Sequence, residues 1–257
     1  MVDDHVGMPA LYRLMAWLSP AYPIGAFSYS SGLEWAVESG DIKDVESLRR
    51  WLSIVIGAGG GYCDAVFFVQ AYRSMAHADD LALRDVAGLA AAFAPSKERF
   101  LETTAQGAAF IEATRAVWPC AALDRLGAAW DGPLAYPVAV GVAACGHGVP
   151  IEPALHAYLH AVTANLISAG VRLVPLGQTD GQRVLAALEP VVAETARLMG
   201  ATQLIPIESA HIDGALYHGD SGTLFAERLV AGGAKVAVRS TLNVGAIAAK
   251  EQFECRH

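Results

Sequence analysis

The 257-residue chain sets 18 Lys plus Arg against 26 Asp plus Glu, a formal charge of -8, and is 54% hydrophobic but only 17% charged. With a mean hydropathy of +0.35, that excludes intrinsic disorder, which needs low hydrophobicity and high charge. The acidic balance also leaves no broad cationic surface to neutralise phosphates, so nucleic acid is excluded as a general partner.

From Leu11 to about Met199 the apolar period is helical. Leu48, Trp51, Leu52, Val55 and Ile56 form one stripe of a helix that Asp44 caps. The glycine run from Gly57 to Gly61 reads as a connection. It lacks the Lys and Ser or Thr that a phosphate loop places after its glycines. Tyr62 to His77 is apolar nearly all round and predicts a central, buried helix. After Pro95-Ser96, the residues Phe100, Leu101, Thr104, Ala108 and Ile111 predict a second apolar stripe. Leu155, Leu159, Val162 and Leu166 predict a third, with Pro153 in its first turn. Thr179-Asp180-Gly181-Gln182 matches a capping box that opens the helix through Leu185 and Leu188. Breaks at Pro20 to Gly25, Trp118-Pro119, Gly132-Pro133, Gly146 to Pro150 and Pro175 to Gly177 separate about eight to ten helices. The expected fold class is all-α, a multi-helix bundle.

Near Gly200 the pattern changes. Gln203 to Ile207 reads as a strand, Thr223 to Val230 as a helix ended by Gly232-Gly233, and Lys235 to Val238 as a second strand. Such a short α/β fragment has too little sheet to bury both faces of its strands, so it is expected to pack poorly and leave strand edges exposed.

No window reads as a membrane span. Pro153 to Val171 lacks formal charge but contains His156, His160, Thr163, Asn165 and Ser168, and Gly132 to Gly146 is interrupted by Pro133 and Pro137. Asp3 and Asp4 are acidic where a signal peptide is basic. A cytoplasmic protein without a membrane partner is expected. Cys63, Cys120, Cys145 and Cys255 are widely spaced, with no CxxC pair for a disulfide scaffold or thiolate zinc site. Surplus apolar surface on a chain with few charges points to partner chains.

Glu152, His156 and His160 lie at i, i+4 and i+8, so they line one side of a helix as weak candidate metal ligands. The Glu next to the first His of a zinc hydrolase is missing. Cys145-Gly146-His147 is a second soft pair. Ser28, Tyr29, Ser30 and Ser31 supply hydroxyls without a neighbouring base, so no nucleophile is activated. Glu34 and Glu38 read as a solvated helix face. Arg183, in a first turn where it opposes the helix dipole, is the residue that capping leaves unexplained.

Two segments carry a resemblance. Leu18-Ser19-Pro20-Ala21-Tyr22-Pro23-Ile24-Gly25-Ala26-Phe27-Ser28-Tyr29-Ser30-Ser31-Gly32-Leu33-Glu34 and Leu173-Val174-Pro175-Leu176-Gly177-Gln178-Thr179-Asp180-Gly181-Gln182-Arg183 closely resemble the urease accessory protein UreF family, over about residues 8–195. The resemblance implies an all-α, homodimeric, non-catalytic scaffold that binds UreD (also called UreH) and UreG and promotes nickel insertion into apo-urease. Nickel is then the delivered ion, no cofactor is held stably, and GTP belongs to the UreG partner. Carried onto this sequence, the partner-facing positions are Ser19, Pro20, Pro23, Gly25 and Phe27, together with Gly177, Gln178 and Arg183.

The tail departs from that family. Leu204 to Asp220, Lys235 to Val238 and Thr241 to Gly245 resemble the beginning of the aconitase X family of iron–sulfur hydro-lyases, so residues 197–257 are expected to be an incomplete fragment of it. The pattern has Cys where Ala215 stands and Pro where Arg239 stands. His211, Asp213 and His218 would be its acid/base or metal cluster. The alternative function is therefore a hydro-lyase fragment fused to a degenerate scaffold.

Overall fold

The computed structural model describes residues 6–26, 29 and 31–201, with backbone alone for Ala201 and for residues 217–218, 223–224, 229–231 and 234–236. Ten helices stand among the described residues. Helix α1 (Met8–Trp17) starts with Pro9 in its first turn, where the missing N–H costs nothing. Gly32, at φ +85°, opens the six-residue α2 (Leu33–Glu38). Helix α3 (Val45–Ala58) has the expected cap, since the Asp44 carboxylate accepts the Ser47 N–H at 2.8 Å and the Ser47 hydroxyl oxygen accepts the Asp44 N–H at 3.0 Å. Its stripe is the predicted one, with Leu48, Leu52 and Ile56 fully buried.

The glycine run is not the connection that was expected. Gly59 is its single break, and α4 (Gly60–Ala76) begins at once, because the absence of a Cβ at Gly61 lets the new helix lie on the last turn of α3, where a Cβ would stand 3.0 Å from Ile56. Val45–Ala76 is long and apolar enough by composition to cross a membrane, but Gly59 divides it into two helices that pack on one another within the bundle.

Asp79 caps α5 (Asp80–Ala92) and Ser96 caps α6 (Lys97–Val117). Here the predicted stripe is wrong although the helix is right. Leu101 and Ala108 are exposed, while Glu102, Thr103, Gln106, Gly107, Phe110 and Thr114 are buried. The polar residues lie inside because neighbouring elements bond them, as described below.

Helices α7 (Ala121–Ala129) and α8 (Tyr136–Gly146) follow, the latter buried from Tyr136 to Ala144. The residues read as a proline-broken apolar window are thus a central helix, with Pro137 harmless in its first turn. Helix α8 makes the bundle's most extensive contact, with α4. Gly141 permits it: a Cβ there would lie 2.5 Å from the Phe68 carbonyl oxygen. Helix α9 (Ile151–Leu173) and helix α10 (Gln178–Ala201, running through Pro190) pack together, and they join α2 and α3 around a second core of Leu33, Leu48, Leu52, Leu166, Ile167 and Leu188. The architecture is the all-α bundle expected.

Beyond α10, strand β1 (Tyr217–His218) pairs antiparallel with β2 (Thr223–Leu224), and β3 (Leu229–Ala231) with β4 (Ala234–Val236). The helix expected over Thr223 to Val230 is therefore corrected, since both of its ends are strands. Ala231 pairs with Ala234, and Gly232-Gly233, read as a helix stop, lies outside the described residues. The strand expected at Lys235 is present. The one at Gln203 to Ile207 lies outside the described residues, as do those on which the packing expectation rests.

Candidate partner-binding surface

Trp17 ends α1 fully buried, its ring edge-on to Phe110 at 6.0 Å and to Trp118 at 6.2 Å, and 5.1 Å from the His147 ring. The chain after it is held from behind by Tyr22. That ring packs on Phe110 and Trp118, and its hydroxyl hydrogen-bonds the Thr114 hydroxyl at 2.8 Å. Burial raises the Tyr22 phenol above its usual value, so it stays protonated. Further on, the Asn165 amide of α9 donates to the Ala26 carbonyl at 3.0 Å. Fixed at these two points, the loop leaves Pro20, Pro23 and Gly25 exposed and Ser19 half-buried. Gly25 has φ +71°, which favours glycine. Phe27 lies outside the described residues.

Between the helices and the 31–32 turn is a charged network that sequence reasoning missed. Arg99 of α6 donates from Nη2 to Asp64 Oδ2 of α4 at 2.7 Å and lies 3.3 Å from Glu102 Oε2. The Tyr158 hydroxyl of α9 donates to the same Asp64 oxygen at 3.1 Å. Gln106 and Ser31 donate to Glu102 at 3.4 and 3.3 Å, so the network ties α4, α6 and α9 to the 31–32 turn. Burial opposes the Arg99 charge, but Asp64 and Glu102 outweigh it and hold its pKa above the usual value. Burial and the nearby Asp64 push the Tyr158 phenol well up, and burial pushes the Cys63 thiol to about 12. These groups are fixed in one protonation state near neutrality and act as a tie. One sequence signal was available: Asp64 is the lone acid of α4, a helix whose middle, Ala65 to Val69, is wholly apolar.

The second candidate segment follows α9. Gly177, Gln178 and Arg183 are all exposed, Arg183 with 70% of its side chain in solvent. The capping box expected at Thr179 gives way to half of one two residues earlier, since Gly177 precedes the helix and has no side chain to complete it. The helix already begins at Gln178, and Asp180 reaches back to accept the Gly177 N–H at 3.2 Å. Asp180 also accepts from Arg183 at 2.8 Å. That carboxylate offsets the dipole penalty of a first-turn cation and aims the guanidinium. The 19–26 loop reaches α9 at Asn165, mid-helix, whereas this segment begins beyond its end at Leu173.

Glu152, His156 and His160 do lie on one helix, with Glu152 and His160 exposed and His156 half-buried. They do not form a metal centre: among the described residues no three His, Cys, Asp or Glu side chains converge on one. His147 is turned to the Trp118 carbonyl at 3.1 Å, which occupies Nε2 of its ring. Of the tail cluster, His211 and Asp213 lie outside the described residues, and His218 is placed by backbone alone.

Comparison with known proteins bears on both segments. The sequence model of the family described as UreF matches residues 42–189, and that described as Aconitase X first domain matches residues 175–256. A urease accessory protein UreF of Bradyrhizobium diazoefficiens is 61% identical over 194 residues, 75% of this chain and 80% of that one. Another, of Rhodopseudomonas palustris strain BisB5, is 64% identical over 183 residues, 71% and 75% of the two chains. A third, of Bradyrhizobium sp. strain BTAi1, is 60% identical over 207 residues, 80% and 85%. Matched over more than half its length by that family model, and covering most of such relatives, the chain belongs to the UreF family.

Proposed function

We propose that the chain is a urease accessory protein, a non-catalytic cytoplasmic scaffold that works with UreD/UreH and UreG to promote nickel insertion into apo-urease. The observation that carries this reading is the identity of 60% and more to proteins named urease accessory protein UreF, over most of their length. In this reading nickel passes as cargo, no cofactor is held stably, and GTP is bound by UreG. Apolar surface suited to partner chains supports it. Met8, Leu11, Tyr12 and Met15, at i, i+3, i+4 and i+7 of α1, are all exposed, as is Leu101 of α6. We assign this surface to a homodimer contact and to the accessory partners. The loop residues Ser19, Pro20, Pro23, Gly25 and Phe27, with Gly177, Gln178 and Arg183, form the partner-facing positions. The functional unit is residues 8–195, and residues 197–257 are an attached fragment.

Co-expression with tagged UreD, UreG and apo-urease is the test. Retention of the chain on the tag, together with urease activity that depends on it, is expected. Absence of any complex at micromolar concentration would refute the scaffold role.

The match of residues 175–256 to the first domain of aconitase X favours a second reading, a fragment of an iron–sulfur hydro-lyase. Anaerobically purified protein with iron–sulfur absorbance and turnover of a small hydroxy acid would establish it. An unchanged spectrum on reconstitution with iron and sulfide would remove it.

A further inference from the structure

The buried face of α6 carries two polar anchors, and both hold the same stretch of chain. Thr114, fully buried, meets the Tyr22 hydroxyl at 2.8 Å. Glu102, also buried, stands about 18 Å back along the helix and accepts the Ser31 hydroxyl on both carboxylate oxygens, each at 3.3 Å. Between the two, the Ala26 carbonyl accepts the Tyr29 N–H at 3.2 Å and the Asn165 amide of α9 at 3.0 Å. The downstream end is held against a cost. Ser31 has φ +51° and Gly32 φ +85°, a left-handed pair that suits the glycine and not the serine. Arg99 Nη1 at 3.3 Å and the Gln106 amide at 3.4 Å fix the Glu102 carboxylate independently, so it can offset that cost. We propose that Glu102 is a positioning residue: through Ser31 it keeps the 31–32 turn left-handed and so presets the 19–26 loop to receive the accessory partner. The inference rests on the reading of that loop as partner-facing.

The physical gain is preorganisation. A loop already in its bound form loses less freedom on binding, and a partner that takes only this form finds it in proportion to its population. Without the Ser31 donor nothing offsets the left-handed residue, so the turn relaxes toward ordinary φ and the preset form becomes the minor one. The same arrangement accounts for the inward polar face of α6. Glu102 and Thr114 are buried where they anchor the loop, whereas Leu101 is left in solvent.

Glu102 itself is a poor target, because its loss removes a counter-charge of Arg99 and endangers the fold. The test therefore changes the exposed end of the contact, in the full chain. Ser31→Ala removes the donor and keeps the backbone cost, whereas Ser31→Asn tolerates the left-handed region and supplies an amide donor. Hydrogen exchange at the Tyr29 amide, the urea midpoint and affinity for tagged UreD are measured on each. Ser31→Ala should speed that exchange about fivefold, the worth of one hydrogen bond, and weaken UreD binding by a similar factor with little change in the midpoint. Ser31→Asn should restore both. Unchanged exchange in Ser31→Ala, or faster exchange with undiminished binding, would overturn the proposal. So would a Ser31→Asn chain no better than Ser31→Ala, since the hydrogen bond would then hold nothing. A wild-type chain that never binds UreD would instead refute the scaffold reading, and the exchange rates would still decide whether Glu102 holds the turn.

Discussion

Arg99 and Asp64 join two helices through a bond of 2.7 Å between side chains that keep only 24% and 13% of their exposure. Asp64 is also the acceptor for Tyr158, so its removal leaves a buried phenol without that acceptor and the guanidinium with Glu102, 3.3 Å away, as its remaining counter-charge. Deleting one partner of a buried pair costs more than the pair contributes, because the survivor remains desolvated. Asp64→Ala should therefore destabilise the bundle by about 3 kcal/mol, toward the lower end of such cases because Arg99 is partly wet. Tyr158→Phe, which removes a single hydrogen bond, should cost about 1 kcal/mol. Urea midpoints of the two variants, unequal in this order, are the measurement; equal midpoints would show that the network carries no charge penalty.

Two glycines set how closely neighbouring backbone approaches the central helices, the segment entering α8 at Gly107 and α4 at Gly141. A Cβ at Gly107 would stand 2.0 Å from the Leu134 carbonyl oxygen, and one at Gly141 would stand 2.5 Å from that of Phe68. In both cases the obstacle is backbone, which cannot rotate away. Gly107→Ala and Gly141→Ala should each cost about 3 kcal/mol, the upper end of overpacking. Gly60 has nothing within 4 Å of its Cβ position, although it lies in the same run of glycines that closes on α4. Gly60→Ala should stabilise by about 0.5 kcal/mol through the unfolded chain. Thermal denaturation that ranks these variants otherwise would mean that the helix spacing is not set by glycine.

Where the buried face of a helix is apolar, its sequence reveals both the helix and the face, as with Leu48, Leu52 and Ile56 of α3. Helix α6 shows where that reasoning stops. Its period is helical, but Leu101 faces water while Glu102, Thr103, Gln106 and Thr114 face inward. Their partners come from far along the chain: Glu102 bonds Ser31, 71 residues away, and Thr114 bonds Tyr22, 92 residues away. Arg99 finds Asp64 at a separation of 35 residues. No local pattern encodes such a network, so the candidate loop was legible from its motif and its foundation was not. The same limit applies after Gly200, where the sequence did not distinguish a helix between strands from two pairs of strands.

His147 makes one part of the bundle sensitive to acid. Burial, and then the Arg13 charge, hold its pKa below the usual histidine value, against a smaller opposing effect of the Trp118 carbonyl. The folded state therefore favours the neutral ring, and the unfolded state takes up a proton first as pH falls. The resulting stability is fully present above the unfolded pKa, about 6.5, and is lost as pH falls through the depressed folded value. His147→Gln cannot titrate. Between about pH 7.5 and 5.5 the wild-type urea midpoint should fall further than that of the variant. Parallel profiles would show that the ring ionises alike in both states.

Arg183 separates a role in stability from one in binding. Its guanidinium is 70% exposed and has one neighbour, Asp180, on its own helix turn. Arg183→Ala should change stability by no more than about 0.5 kcal/mol, as for a surface substitution. If the 177–183 segment is the surface that engages the accessory partner, the lost arginine anchor should weaken retention on tagged UreD by about tenfold or more. Arg183→Lys keeps the charge but loses the planar fork that Asp180 aims, so it should recover only part of that affinity. Titration of wild type, Arg183→Ala and Arg183→Lys against the same partner gives the order directly. Equal affinities for all three would move the contact off this segment and onto the 19–26 loop or the exposed face of α1.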